Sequence, residues 1–128
     1  MKLLLDTHTF LWWLSGDKHL SARARTLIGN EKTTVFVSAA SAWEICTKVR
    51  IGKLEGARAV AEDVVECVLS QAFTPLEITM DQAQRAGNLA GAHRDPFDRM
   101  LIAQAQALKL TLVSNEAIFD GFGVSRIW

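Results

Sequence analysis

The sequence predicts an α/β fold, a three-layer α/β/α sandwich around a mostly parallel central sheet. The runs Leu3-Leu4-Leu5, Val35-Phe36-Val37 and Leu112-Val113 are apolar, β-prone and too short for helices, and residues that start helices follow each of them. Between them lie longer segments with apolar residues at helical spacing, and strands alternating with helices imply right-handed βαβ units with helices on both faces. With 128 residues, 49% apolar and 22% charged, the chain has the length and composition for one real core. A single domain over residues 1–128 is expected, with no internal repeat, low-complexity tract or linker.

Lys2 to Leu5 reads as a buried strand, followed by a helix from Thr7 to Leu14 that Gly16 stops. Ser21 caps a second helix through Ile28, ending at Gly29-Asn30. Thr33 to Val37 has the β-branched and aromatic content of a strand, and Ser38 or Ser41 starts the helix that runs to Gly52. Ala57 to Gln71 carries Val60, Val64, Val65, Val68 and Leu69 and reads as one helix. Phe73 to Ile78 is a weaker strand, placed at a sheet edge or strand start by Pro75. Thr79 and Gln82 have capping-box spacing for a helix from Asp81 to Ala92, and Pro96 opens the next helix, through Leu108. Thr111 to Val113 and Val124 to Ile127 complete the sheet.

Fourteen basic residues against 14 acidic ones give no global positive field, so any nucleic-acid contact must use a local patch. Cys46 and Cys67 form no metal-ligand spacing and are expected to be buried thiols, as suits a reducing cytosol. The N-terminal run reaches an acid at Asp6, leaving no secretory h-region, and no window approaches the ~20 apolar residues that span a bilayer. The expected location is cytoplasmic, without membrane contact.

Four acids stand where apolar runs give way to helix starts: Asp6, Glu44, Asp98 and Glu116. In open α/β sheets, sites form beyond the carboxyl ends of the strands, and carboxylates converging there can hold a hard cation. Each has a structural alternative. Asp6 has the position of a cap, Ser41-x-x-Glu44 and Asp95-x-x-Asp98 have capping-box spacing, and Glu116 suits a first helical turn. Taken together, four carboxylates on one sheet edge repel one another unless a cation lies between them.

The runs Leu3-Leu4-Leu5-Asp6-Thr7-His8, Ser41-Ala42-Trp43-Glu44-Ile45 through Leu54, His93-Arg94-Asp95-Pro96-Phe97-Asp98-Arg99 and Leu112 through Trp128 resemble PIN-domain motifs. In length and pattern the whole chain is similar to VapC-type toxins of bacterial toxin–antitoxin pairs, the Asp-Pro-Phe-Asp-Arg run being the most specific part. The resemblance implies a cytoplasmic endoribonuclease dependent on Mg²⁺ or Mn²⁺, dimeric, acting on RNA and held inactive by a cognate antitoxin. It also implies a core triad of Asp6, Glu44 and Asp98, with Asp6 and Asp98 the best candidates for direct metal contact. Glu116 falls at a fourth position that is more often Asp, and its extra methylene points to a role through water. Asp95 is read as a cap rather than a ligand.

Thr7 and Ser114 offer hydroxyls beside the acids, and Lys48, Arg50, Lys53, Arg94 and Arg99 are candidates for a local phosphate-binding rim or, equally, a solvated face. Trp12, Trp13, Trp43 and Phe97 are assigned to core or interface, with base stacking as the minor alternative. The three histidines have no ligand spacing, so His8 and His93 are at most helpers. A haloacid-dehalogenase-like Mg²⁺ phosphohydrolase wants an Asp where His8 stands, and a receiver-like module wants an acidic pair at Thr7-His8. No Gly-rich turn follows the first strand, which disfavours a P-loop or dinucleotide site. A catalytically weak PIN-like module that only binds nucleic acid or protein is the remaining alternative.

Overall fold

The computed structural model describes all residues, Met1–Trp128. Five parallel strands form one sheet: β1 (Lys2–Leu5), β2 (Thr34–Ser38), β3 (Thr74–Leu76), β4 (Thr111–Val113) and β5 (Arg126–Ile127), in the order β3-β2-β1-β4-β5. Seven α-helices connect them: α1 (Thr7–Ser15), α2 (Ala22–Ile28), α3 (Ala39–Arg50), α4 (Arg58–Glu62), α5 (Val64–Ser70), α6 (Met80–Asn88) and α7 (Pro96–Leu108). Short 3-10 turns lie at Glu55–Ala57 and Ala117–Phe122.

The two-residue period of a strand divides the core. Leu3 and Leu5 point to one face, where Phe10, Ala24, Ile28, Val35, Val37 and Ile45 join them. Leu4 points to the other, against Leu101, Ile102, Ala105, Leu112 and Phe119. In-register pairing of Leu4 with both Phe36 and Leu112 keeps the second face continuous across three strands. All three leucines of β1 are 0% exposed, so each contributes about 2 kcal/mol from apolar burial. The central strand thus anchors both helical layers.

Helix starts follow local chemistry. Asp6, Ser21, Ser38, Thr79 and Asp95 accept hydrogen bonds from first-turn amides, and Thr79 with Gln82 closes the expected capping box. Gly16, at φ +67°, ends α1 in the left-handed conformation that glycine adopts without strain. Ser38, not Ser41, caps α3, so Glu44 lies inside the helix and the capping-box reading of Ser41 and Glu44 is corrected.

Other boundaries differ as well. The helix expected over 57–71 breaks at Asp63, whose extended backbone (φ −157°, ψ 82°) lets its carboxylate cap Glu66 N and start α5. Val60, Val64 and Val68 still reach the first core, which is why the apolar period continues through the break. Helix α6 stops at Asn88 rather than Ala92, where the chain turns extended at Leu89. Strand β5 is shorter than expected, and Pro75 sits on the edge strand β3, where its missing donor costs no ladder bond. Cys46 is exposed and Cys67 half-buried, against the expectation that both are buried, and the two are free thiols. No helix is long and apolar enough to cross a membrane.

The chain leaves β1 in one direction to β2 and β3, then returns on its other side as β4 and β5. The switch in direction opens a crevice beyond the carboxyl ends of β1 and β4, where open α/β sheets bind ligands.

Candidate functional site

Asp6 leaves β1 and Ser114 leaves β4 at that crevice. The backbone N–H of Asp6 donates to Val113 O at 3.1 Å, continuing the ladder one residue past the strand. Asp6 Oδ1 accepts from His8 N at 2.8 Å and Thr9 N at 3.3 Å, while Ser114 Oγ donates to Oδ2 at 2.5 Å. Asp6 therefore caps α1 with one oxygen and is held by β4 with the other. Thr9 Oγ1 donates to Val113 O and Arg126 donates to Ser114 O, which pins the β4 end in turn.

Helices α3 and α7 bring the other acids. Thr7 Oγ1 donates to Ser41 Oγ at 2.9 Å, fastening the start of α1 to α3 one turn before Glu44. Glu44 is 4% exposed and pairs with Lys48, one turn further along the helix. Asp95 caps α7 through bonds to Phe97 N and Asp98 N, leaving Asp98 in the first turn, where His93 Nε2 meets its Oδ2 at 2.7 Å. Glu116 follows Ser114, receives no side-chain capping role, and has its backbone N–H bonded to Ser114 Oγ at 3.1 Å.

These residues line one cavity of about 60 Å³: Asp6, Thr7, His8, Glu44, Lys48, Asp95, Asp98 and Glu116, with no apolar side chain among them. All four acids expected at the site are present. A larger hollow of about 300 Å³ adjoins it through His8 but is otherwise mostly apolar, lined by Leu11, Trp12, Leu14, Leu54 and Val60, and it offers none of the cavity's charged chemistry. Arg50 is exposed and outside the acidic cavity. Arg99 is likewise outside it, and the phosphate-rim expectation for Arg99 is corrected: its guanidinium donates to the carbonyls of Ala86, Leu89 and His93. Lys48 is the basic side chain that does reach the cavity.

The charge balance is unfavourable. Five carboxyl groups share the cavity with one lysine. Burial pushes Asp98 up to about 7, with Asp95, Glu116 and Asp6 adding repulsion and the His93 bond opposing them. Burial also raises Asp6, against the bonds from Ser114, Thr9 and His8, and raises Glu116, with the charge of Asp6 adding to it. Desolvation pulls the Lys48 ammonium down, but the hydrogen bond and charge of Glu44, with Asp95 and Asp98 beyond, hold it above its ordinary value. A divalent cation would relieve this excess of negative charge, and an all-oxygen donor set is the chemistry that Mg²⁺ and Mn²⁺ prefer. As the side chains stand, no three His, Cys, Asp or Glu groups are gathered as ligands of one ion. The donor chemistry fits a hard cation, and seating it requires side-chain adjustment around Lys48, which pairs with Glu44.

Sequence reasoning underrated Lys48 and His93. The i, i+4 spacing of Glu44 and Lys48 was a usable signal. The His93–Asp98 pair spans a loop and a helix start, so no periodicity marks it.

A family profile described as PIN domain matches residues 3–124. By sequence, no curated protein matches the chain. Among solved structures, the chain is similar to the VapBC2 structure from Rickettsia felis bound to a promoter DNA fragment, with 18% identity, TM-score 0.71 and coverage of 99% of this chain and 98% of that one. It is also similar to DNA-bound VapBC from Salmonella typhimurium, with 18% identity, TM-score 0.67 and coverage of 99% and 97%. A third similarity is to VapC20 of Mycobacterium tuberculosis, described as a toxin that cleaves the sarcin-ricin loop, with 18% identity, TM-score 0.67 and 98% coverage of both chains. At these identities the likeness speaks to the fold, which agrees over nearly the whole of each chain.

Proposed function

Since the chain belongs to the PIN domain family, we propose that it is a metal-dependent endoribonuclease and the toxin of a toxin–antitoxin pair. The observation that carries the reading is the convergence of Asp6, Glu44, Asp98 and Glu116 on one wholly polar cavity at the switch point of the sheet. Support for the toxin role comes from solved structures that are VapBC complexes and from VapC20, described as a toxin that cleaves the sarcin-ricin loop. The proposed partners are an RNA substrate, a cognate antitoxin and a second copy of the chain as a homodimer. A cytoplasmic location follows from an RNA target and an antitoxin partner.

Asp6 and Asp98 would hold Mg²⁺ or Mn²⁺ directly, with Glu44 and Glu116 completing the set, Glu116 through water. Once bound, the cation supplies an activated water and neutralises charge on the oxygens of the phosphodiester under attack. The chain's own residues prepare for this. Ser114 and the amides of His8 and Thr9 favour the ionised form of Asp6. Thr7 sets the spacing of α1 and α3 through Ser41, and Lys48 is the cation available to a substrate phosphate at the cavity mouth.

Purified protein should cleave RNA with Mg²⁺ or Mn²⁺, and should lose the activity with EDTA, with Asp6→Asn and with Asp98→Asn. Activity that survived chelation and either substitution would sink the mechanism. Expression should arrest growth and co-expression of the protein encoded next door should relieve it; an absence of toxicity would remove the toxin role and leave a nuclease. The paired state of Glu44 and Asp98 favours one second reading, a PIN domain that binds RNA or protein without cutting. Metal binding with no cleavage of any RNA would select it.

A further inference from the structure

His93 lies outside the acidic cavity's lining, yet the surrounding structure fixes its ring in one place. Its Nε2 meets Asp98 Oδ2 at 2.7 Å, and both side chains are about 15% exposed, 16% for His93 and 15% for Asp98. The ring of the fully buried Phe119 stands nearly perpendicular to the imidazole, with ring centroids 6.3 Å apart and planes at 88°, and Phe122 lies 6.4 Å away at 49°. Aromatic contacts of this geometry favour a single ring orientation.

The backbone of the same loop is also tied down. Arg99, the residue after Asp98, donates from Nη1 to His93 O at 3.0 Å and from Nε to Ala86 O at 3.0 Å, and its other amino group bonds Leu89 O. The guanidinium thereby holds the end of α6 and the 89–93 loop against the first turn of α7. Gly91 has φ +124° and faces Phe122 so closely that a Cβ there would meet Cε1 at 2.7 Å. Only glycine allows the loop to adopt that backbone and to bring Phe122 close to His93. Phe119 and Phe122 thus pack the imidazole, Arg99 and Gly91 hold the backbone that carries it, and its hydrogen-bond partner is the carboxylate of Asp98.

We propose that His93 is the positioning residue for the Asp98 carboxylate, holding one of its oxygens so that the other is presented to a divalent cation. The proposal rests on the reading of Asp98 as a cation-holding residue. In metal sites, hydrogen-bond partners of ligating side chains fix orientation and typically control affinity by about 10–100-fold. The imidazole is suited to the task because Nε2 reaches the carboxylate while the ring body is gripped by Phe119 and Phe122. Arg99 and Gly91 hold the loop that carries it.

Mn²⁺ binding, measured by calorimetry and by the Mn²⁺-induced rise in Tm, tests this with His93→Ala, His93→Gln, His93→Asn and Asp98→Asn, with circular dichroism reporting the fold of each. The amide nitrogen of Gln can stand where Nε2 stands, whereas that of Asn matches the nearer ring position and falls short of Asp98. The expected result is Mn²⁺ affinity weakened by about 10–100-fold in His93→Ala and His93→Asn, largely restored in His93→Gln, with KM for RNA at saturating Mn²⁺ unchanged. Should His93→Ala fail to fold, the Gln and Asn pair carries the comparison. Unchanged or tighter Mn²⁺ binding in folded His93→Ala or His93→Asn, while Asp98→Asn abolishes it, would overturn the positioning role and leave the site reading intact. Undiminished Mn²⁺ binding in Asp98→Asn would overturn the site reading, and the positioning role with it.

Discussion

The two sides of the acidic cavity are held by different means. On the sheet side, Asp6 sits one residue past β1 and is fixed by the ladder, by two helix-start amides and by Ser114 from β4, all neutral donors. On the helix side, Glu44 and Asp98 are held by side chains, a half-buried lysine and a histidine whose ring packs against Phe119 and Phe122. The sheet side is preorganised by backbone geometry, and the helix side by side-chain partners, of which Lys48 is the one that an arriving cation or phosphate would displace. The difference teaches that similar carboxylates can be bound to the fold with different commitment, one rigid and one exchangeable.

The largest effect separates capping from catalysis on the sheet side. Asp6→Asn keeps a side-chain oxygen able to cap α1, so Tm should hardly change while RNA cleavage falls by more than the ~10–100-fold that loss of a supporting partner costs. Asp6→Ala should lose the same activity and, in addition, about 1 kcal/mol of stability in denaturant titration. Equal Tm losses in both variants would mean that the carboxylate is mainly a structural group, and the contrast between the two sides would disappear.

On the helix side, Lys48→Met strands the buried Glu44 carboxylate. A fully buried pair broken this way costs about 3–5 kcal/mol; Lys48 is partly solvated, so a loss of about 1–3 kcal/mol is expected in metal-free protein. Added Mn²⁺ should recover part of it, since a cation can take over the role of the ammonium. A loss that Mn²⁺ does not touch would place Glu44 outside the cation's reach.

The pH dependence follows from Asp98. Its carboxyl is raised from an ordinary 3.8 to about 7, so its stabilising contribution is complete below the ordinary value and is lost as pH rises through about 7. Asp6 and Glu116 are shifted in the same direction. Metal-free protein should therefore lose Tm between about pH 4 and 7, with a slope of about one proton, and Asp98→Asn should flatten it. Mn²⁺ competes with the proton, so its stabilising effect should grow over the same interval. A slope unaltered in Asp98→Asn would assign it to another group.

The smallest effect belongs to Ser114→Ala, which removes one of three bonds to Asp6. A stability loss of about 1 kcal/mol and a fall in cleavage of roughly 10-fold are expected, because the two amides remain. A collapse in activity matching Asp6→Asn would show that the sheet side depends on the hydroxyl rather than on the backbone.

The same division governs what the sequence made legible. Asp6 could be read directly, because a buried strand followed by an acid and a helix fixes its place at the sheet edge. The capping role of Asp95 was legible from Pro96 beside it. The break at Asp63 was hidden, since Val60, Val64 and Val68 keep their period across it. Glu44 was visible as a site acid, but the choice between Ser38 and Ser41 as cap depended on Ser41 being occupied by Thr7, 34 residues away. The role of Arg99 was missed for a related reason: its three backbone acceptors lie on a helix end and a loop that only the folded chain brings together. Local patterns place the acids, and long-range contacts such as Ser114 with Asp6 and Thr7 with Ser41 hold their elements together.

The most direct test of the cavity as a cation-dependent centre is anomalous diffraction from crystals of the protein grown with Mn²⁺. The account predicts a Mn²⁺ peak inside the acidic cavity, in direct contact with oxygens of Asp6 and Asp98 at about 2.1 Å, with Glu44 released from Lys48. A fully occupied Mn²⁺ peak elsewhere on the molecule, or an empty cavity at saturating Mn²⁺ with the Glu44–Lys48 pair intact, would contradict it.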